Sequence, residues 1–471
     1  MTIISIDFDA FYVACHRSRD KTLLNIPFAV QQKHILCTVS YEARARGVKK
    51  LSSLSDARRI CPEIRTVNGE DLTLYRTISR DVFAFLVDYL GADTPIQKLG
   101  LDEFFIDISN LPGQPRESSQ THLVYQDNKL TEDQLNDITI TADIRRQIYN
   151  RFKLTSSAGI SNSIMLSKLV GNLHKPDQQT LLNVNNETEL QNLLDAFHLR
   201  KIHGFGRVVV ERIQKLTGLS DDETTVYNTR NRLQEDALIN EFGEKLGTKL
   251  YKNLHGVDDE QVRQSSVYPK QISIEDSSGN IDTIDDVYKM LHSVTQRLVK
   301  RLDEEYLNID KNGRKYFVMH PTKMRISTRR LSSIPNTRIA SHFPESASCD
   351  IGVALFQIER NTVVERASRL CRDYLETSLT RLYRAGIAAG ANKLRVVNVA
   401  FTDFVEGQPM KPIDDFMRGR KEIINLSSDS ESENEGHISE NNDDEIRCPT
   451  CNAQLMPFTV ESHLRFHELG D

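Results

Sequence analysis

The chain has 471 residues, 39% hydrophobic and 27% charged, enough for two to four domains with cores and for a segment that stays unfolded. The net charge of −6 is uneven: residues 406–471 hold fifteen acids against six bases, which leaves +3 on residues 1–405. Asp7 and Asp9 interrupt the first apolar segment, which excludes a signal peptide or a membrane span there and makes a soluble intracellular protein the expectation.

Residues 2–8 are β-branched and apolar and close on an acid, so they read as a buried strand that delivers Asp7 at its end. Residues 104–109 read as a second such strand, directly after Asp102 and Glu103. Helical spacing follows over 141–153, 163–174 and a shorter stretch at 189–199. A Gly204-Phe205-Gly206 turn then leads into a helix at 207–217, an arrangement like a helix-hairpin-helix. Past Pro269 the pattern changes to a helix at 284–305, strands at 315–320 and 323–328, a helix at 355–386 and a strand at 394–401. That pattern suggests a separate α+β domain. Residues 427–446 hold eight acids among Ser and Asn, a disordered composition.

Three features carry chemistry. Asp7 and the Asp102-Glu103 pair end or begin apolar strands, and carboxylates on neighbouring strand ends suit a pair of divalent ions in phosphoryl transfer. Acids flanking strands also occur for solubility, so the pattern alone leaves both readings open. Residues 311–338 hold eight Lys/Arg and no acid, a stripe suited to a polyanion or simply a solvated basic face. Cys448-x2-Cys451-x11-His463-x3-His467 supplies two thiolates and two imidazoles for a tetrahedral Zn²⁺ site, without which so small a module could hardly fold. The remaining five cysteines read as reduced thiols.

Ser5 to Tyr12, Ser40 to Lys50 and Ala158 to Pro176 resemble, in order, the opening, finger and lysine motifs of the Y-family lesion-bypass DNA polymerases. The resemblance implies an α+β right-hand fold: a ferredoxin-like palm (1–23 and 72–195), small fingers (24–71), a helical helix-hairpin-helix thumb (196–265) and an α+β little finger (268–405). A disordered linker (406–446) and a ββα-like zinc finger (447–471) complete it. It implies a nuclear, low-fidelity DNA-directed DNA polymerase that performs translesion synthesis on primer–template DNA with dNTPs. Asp7, Asp102 and Glu103 would be catalytic and, with the Phe8 carbonyl, would hold two Mg²⁺, or Mn²⁺ in their place. Tyr12 would be the steric gate against ribose, and Tyr41, Arg44 and Lys168 would hold the triphosphate. The chain departs from the family at Ser163-Ile164, where Asn-Lys is usual.

Residues 30–33, 67–73 and Gly100 are similar to the iota branch of that family. There, residues at Gln32 and Lys33 crowd the template base and favour Hoogsteen pairing of template purines. By the same resemblance Gly204 and Gly206 would meet a DNA phosphate, and Lys323, Arg325, Arg329 and Arg330 would grip the backbone. Ile413, Phe416 and Met417 resemble a sliding-clamp box, and Ile423 to Leu426 before Ser and acids resembles a SUMO-binding motif. The zinc module resembles a ubiquitin-binding finger of the eta branch, with Arg465 where an acid is usual. An eta-like bypass polymerase, a nucleotidyl cyclase and a non-catalytic clamp, SUMO and ubiquitin scaffold are the alternatives.

Overall fold

Alternation decides the first strand. In β1 (Ile3–Phe8), Ile4, Ile6 and Phe8 point to one face and Ile3, Ser5 and Asp7 to the other. The chain leaves β1 through Ala10, held left-handed at φ 45°, and enters α1 (Phe11–Arg17). The structure, a computed structural model, describes residues 1–113, 120–278, 283–311, 313–330, 346–352, 358, 361–388, 394–407, 446–447 and 454–455. Residues 1–407 form one compact unit and 408–471 a second.

A small sheet follows α1. It comprises β2 (Phe28–Gln32) and β3 (Ile35–Val39), helices α2 (Tyr41–Ala45) and α3 (Leu54–Ile60), and β4 (Arg65–Asn68). Ser40 and Ser53 cap the two helices by accepting the amides of Ala43 and Asp56. The sheet has its own core around Leu36, Val39, Ala43 and Ala57.

The chain returns to the first sheet through α4 (Thr73–Leu90), β5 (Ile96–Leu99) and β6 (Glu103–Asp107), and continues with β7 (His122–Leu123) and α5 (Glu132–Phe152). It closes with β8 (Ser156–Ser161), α6 (Ile164–Gly171), β9 (Gln179–Leu181) and α7 (Glu187–Asp195). Strand order is β5-β6-β1-β8-β9-β7, with β1 antiparallel to both neighbours. Val82, Phe83 and Leu86 of α4 and Ile144 and Ile148 of α5 bury one sheet face with Ile4, Ile6 and Phe8. At roughly 1.5–3 kcal/mol for each large apolar side chain removed from water, this core fixes the register of β1. On the opposite face, Ile3 and Phe105 pack with Ile164 of α6. Asp7 therefore emerges on the α6 side.

A helical module of α8 (Arg207–Thr217), α9 (Val226–Arg232), α10 (Glu235–Phe242) and α11 (Glu244–Leu254) shares a core with α6 through Met165, Leu169 and Ile213. Residues 264 and 265 then reach back to the edge of the first sheet. The Gln264 side chain accepts the Ile96 amide at 2.7 Å, and Ser265 Oγ accepts the Lys98 amide at 2.8 Å.

The C-terminal part of the first unit is α+β, as expected. It runs through β10 (Ile272–Ser277), α12 (Ile284–Tyr306), β11 (Leu307–Ile309), β12 (Lys315–Phe317), β13 (Met319–Arg330) and β14 (Ser346–Asp350). Helices α13 (Val363–Leu370) and α14 (Glu376–Ala388) and strand β15 (Leu394–Glu406) complete it. The sheet order is β10-β15-β13-β14, with α12 and α13 on its apolar face. Several boundaries differ from expectation: the helix expected at 141–153 begins at Glu132, and the strands expected at 323–328 and 394–401 span Met319–Arg330 and Leu394–Glu406. The helix expected at 355–386 begins at Val363, where Thr362 and Glu365 form a capping box, and it passes through a wide turn at Cys371–Leu375. The strand expected at 315–320 breaks after Phe317, because β12 pairs with β11 and β13 pairs with β15. The helix expected at 189–199 ends at Asp195, followed by one tight turn at Leu199–Lys201.

In the second unit, β16 (Ile446–Arg447) pairs antiparallel with β17 (Gln454–Leu455). No described helix is long and apolar enough to cross a membrane.

Candidate active site

Register brings the predicted acids together. Asp7 and Glu103 are direct partners in the antiparallel β1–β6 pair, and the Phe8 amide donates to the Asp102 carbonyl at 3.0 Å. Burial pushes the Asp102 carboxyl above its usual range, and the charge of Asp7 pushes it further. Burial likewise raises Glu103, which is 9% exposed, although the hydrogen bond from Lys168 pulls the other way. Two ammonium groups compensate the cluster. Lys168 Nζ lies 2.7 Å from Glu103, and Lys175 Nζ lies 2.6 Å from Asp7 Oδ1. With the acids turned to these lysines, no group of three or more His, Cys, Asp or Glu side chains among the described residues is gathered as a metal cage. The donor set itself, three carboxylates on adjoining strand ends, is chemically suited to a hard divalent ion.

Close packing positions Lys168. Ser163 caps α6 by accepting the Leu166 amide, and the helix lies almost on β8 because Gly159 and Gly171 face each other. A Cβ on Gly159 would sit 1.9 Å from the Ser167 carbonyl oxygen. Lys175 is positioned differently. Asp9, 5% exposed, accepts Ser157 Oγ at 2.8 Å and the Asp177 amide at 2.9 Å, tying the Lys175 loop to β8. Asp9 and Lys175 were not among the predicted site residues. Both lie within the family-like stretches Ser5 to Tyr12 and Ala158 to Pro176, which was the signal that could have singled them out.

Tyr12, within reach of the Asp102 charge, is half-buried and stacks on Tyr75 with ring centroids 3.8 Å apart and planes 6° apart. Burial pushes its phenol up to about 12, so it stays a neutral ring. Tyr41 is pushed up to about 12 by burial and then by the charges of Asp9 and Asp7, which puts it beside the same cluster. Arg44 covers the Tyr41 ring at 4.5 Å and donates to the Val39 carbonyl at 3.0 Å. Gln32 donates to the Gly69 carbonyl at 2.8 Å. Lys33 spans to the C-terminal sheet, where it pairs with Asp276 at 2.9 Å and bonds to Ser277.

The predicted DNA contacts fall into two groups. Gly204 holds φ 94°, a conformation that favours glycine. Gly206, at φ −67°, has open space where a Cβ would go, and no side chain caps α8. On β13, Lys323, Arg325 and Arg329 occupy alternate positions on the face away from the helices. Lys323 pairs with Asp403 at 2.8 Å and Arg329 with Glu275 at 2.6 Å, while Arg325 donates to Gln271 at 3.4 Å. Arg330 departs from that row. Next in the strand's alternation, it faces the helix layer, where it donates to the Leu382 and Tyr383 carbonyls at 3.1 Å.

Cys448, Cys451, His463 and His467 lie outside the described residues, although strands β16 and β17 bracket the two cysteines in sequence. The clamp-like Ile413, Phe416 and Met417 and the SUMO-like 423–426 also lie outside them.

Comparison with known proteins agrees with this geometry. The model of the impB/mucB/samB family matches residues 6–172, the span that holds Asp7, Asp102, Glu103 and Lys168. DNA polymerase iota of Drosophila melanogaster is 31% identical over 360 residues, covering 73% of this chain and 46% of the relative. DNA polymerase iota of Homo sapiens is 29% identical, covering 70% of this chain and 44% of the relative. This chain thus spans less than half the length of these curated iota relatives. DNA polymerase IV of Pseudomonas syringae pv. tomato is 30% identical, covering 56% of this chain and 67% of the relative. The chain belongs to the impB/mucB/samB family, the Y family that includes these polymerases.

Proposed function

We propose that this protein is a DNA-directed DNA polymerase of low fidelity that inserts nucleotides opposite damaged template bases in the nucleus. The direct opposition of Asp7 and Glu103 beside Asp102, each outer acid held by a lysine, carries the proposal. In this reading the first sheet is the palm, the small sheet the fingers, α8–α11 the thumb and the C-terminal sheet the little finger. Asp7, Asp102, Glu103 and the Phe8 carbonyl would hold two Mg²⁺, or Mn²⁺ in their place. Such ions, when bound, neutralise triphosphate charge and acidify the primer 3′-hydroxyl.

The chain's own groups do the rest. Lys168 and Arg44 offer cationic donors to the triphosphate, and Tyr41 walls it. The Tyr12 ring, stacked on Tyr75, would serve as the block against a ribose 2′-hydroxyl. The uncapped N-terminus of α8 beside Gly206 offers amides to a DNA phosphate without reading sequence. Lys323 and Arg329 exchange their acidic partners, and Arg325 its Gln271 contact, for phosphates, which makes binding steeply salt-dependent.

Primer extension with dNTPs and Mg²⁺ tests the reading: wild type extends, and Asp102→Ala does not. Equal extension by both would sink it. Gln32 and Lys33 lie at the finger strand end next to Gly69, which supports iota-like Hoogsteen pairing of template purines. Replacing template adenine with its 7-deaza analogue should then cut insertion, and equal insertion would point to an eta-like geometry. The tail would add Zn²⁺ on Cys448, Cys451, His463 and His467, and contacts to a sliding clamp, SUMO and ubiquitin. One equivalent of zinc, lost in Cys448→Ser, is the expected elemental analysis.

A further inference from the structure

A cavity of about 450 Å³ lies between α4, the turn into β6, residues 265–270 and the end of α12. Five cations line it, Arg76, Arg80, Lys98, Lys270 and Arg301, against the carboxylates of Glu304 and Glu305. The arginines are engaged. Arg76 lies 3.0 Å and Arg301 2.8 Å from the same Glu305 carboxylate, and Arg80 donates to the Glu304 carbonyl at 3.3 Å. The lysines are not. Among the described residues neither the Lys98 nor the Lys270 ammonium has a hydrogen-bond or ion-pair partner. Lys98 is half-buried, and its burial draws its ammonium down to about 8, with Glu305 pulling the other way and the charges of Arg80 and Arg301 adding to the effect. It is still mainly a cation at neutral pH, held in a cleft with three more positive than negative groups.

We propose that this cavity binds a phosphate group, with Lys98 and Lys270 as its charge partners and the arginine wall behind them. Phosphate suits the excess of three charges and the guanidinium forks better than a single carboxylate does. Location supports it as well: Gly100 and Leu101 form part of the lining and run directly into Asp102. Two sources share this chemistry, a backbone phosphate of bound DNA and free pyrophosphate. Which source fills the cavity rests on the polymerase reading; the phosphate site itself does not.

The full chain is compared with Lys98→Gln, Lys98→Arg and Lys270→Gln. Fluorescein-labelled primer–template is titrated by anisotropy from about 50 to 200 mM salt, and inorganic pyrophosphate by calorimetry. If DNA supplies the phosphate, each Gln variant binds it several-fold more weakly and the slope of log K against log salt falls by about 1. Lys98→Arg restores both. If the source is free, pyrophosphate binds wild type and Lys98→Arg, is lost in the Gln variants, and the DNA slope does not move. Thermal melting separates a lost site from a lost fold, because Lys98→Gln removes a poorly solvated cation and should melt no lower than wild type. Folded Gln variants that bind both probes like wild type overturn the proposal. A wild type that cannot extend primers would instead defeat the polymerase reading, while the pyrophosphate titration still reports on the cavity.

Discussion

Replacing Gly159 by Ala tests how the active-site lysine is held. The new methyl would lie 1.9 Å from the Ser167 carbonyl oxygen and 2.5 Å from the Gly171 amide, both backbone atoms that cannot rotate away. Contacts under 3.0 Å essentially do not occur, so α6 must retreat by about an ångström. Lys168 rides on that helix, and its 2.7 Å contact with Glu103 stretches accordingly. Overpacking of this kind costs about 1–3 kcal/mol. At ~2–4 °C per kcal/mol, melting should fall by several degrees. An ångström of misplacement near the reacting groups costs on the order of 10²-fold in rate. The assay is steady-state single-nucleotide insertion, with melting followed by circular dichroism. Gly206→Ala is the control: it has φ −67° and open space around it, so melting should not change. A Gly159→Ala protein with wild-type melting and kcat/KM would refute the account of how α6 is seated.

Asp102→Asn should abolish extension yet stabilise the DNA-free chain at pH 7–8 by about 1 kcal/mol, read by urea unfolding. The sign follows from its raised carboxyl: the ionised form costs stability above that raised value. The advantage of Asn should therefore shrink as pH falls through the raised value and vanish below ~3.9, where the carboxyl is neutral in both the folded and the unfolded chain. Asp9→Ala should destabilise by about 1–3 kcal/mol, since the Asp177 amide and Ser157 hydroxyl lose their acceptor. The same change should lower kcat as the Lys175 loop loosens. Tyr12→Ala should relax discrimination against ribonucleotides at least about tenfold, or ~1.4 kcal/mol, measured as the ratio of kcat/KM for dNTP and NTP. An unchanged ratio would remove Tyr12 from the sugar site.

The acids were legible because the signal is local: a carboxylate closing one apolar strand and a pair opening another, within motifs that resemble a known family, with β-pairing left to bring the ends together. Their counter-ions were less so. Lys175 reaches Asp7 across 168 residues and Lys33 reaches Asp276 across 243, separations that only the fold bridges. Helix α4 was missed although Tyr75, Ser79, Val82 and Leu86 carry helical spacing, because Leu72 before it offers no capping side chain. The late start of α13 was written in the chain, as Thr362 and Glu365 stand three apart, the spacing of a capping box. Arg330 was grouped with the phosphate-gripping row, yet period-two alternation alone separates it from Lys323, Arg325 and Arg329. The tail motifs depend on residue type and spacing, not on a packed core, so the described residues add to them only the short β16–β17 pair.

Because Lys168 and Lys175 lie against Glu103 and Asp7, two of the three carboxylates at the strand ends already have counter-ions before any reactant arrives. A chelator should therefore silence the protein without unravelling it, and readdition of divalent salt should bring turnover back. On the proposed reading, idle and working forms would differ by a swap of counter-ions, and each ammonium group released by that swap would be free to follow an incoming triphosphate.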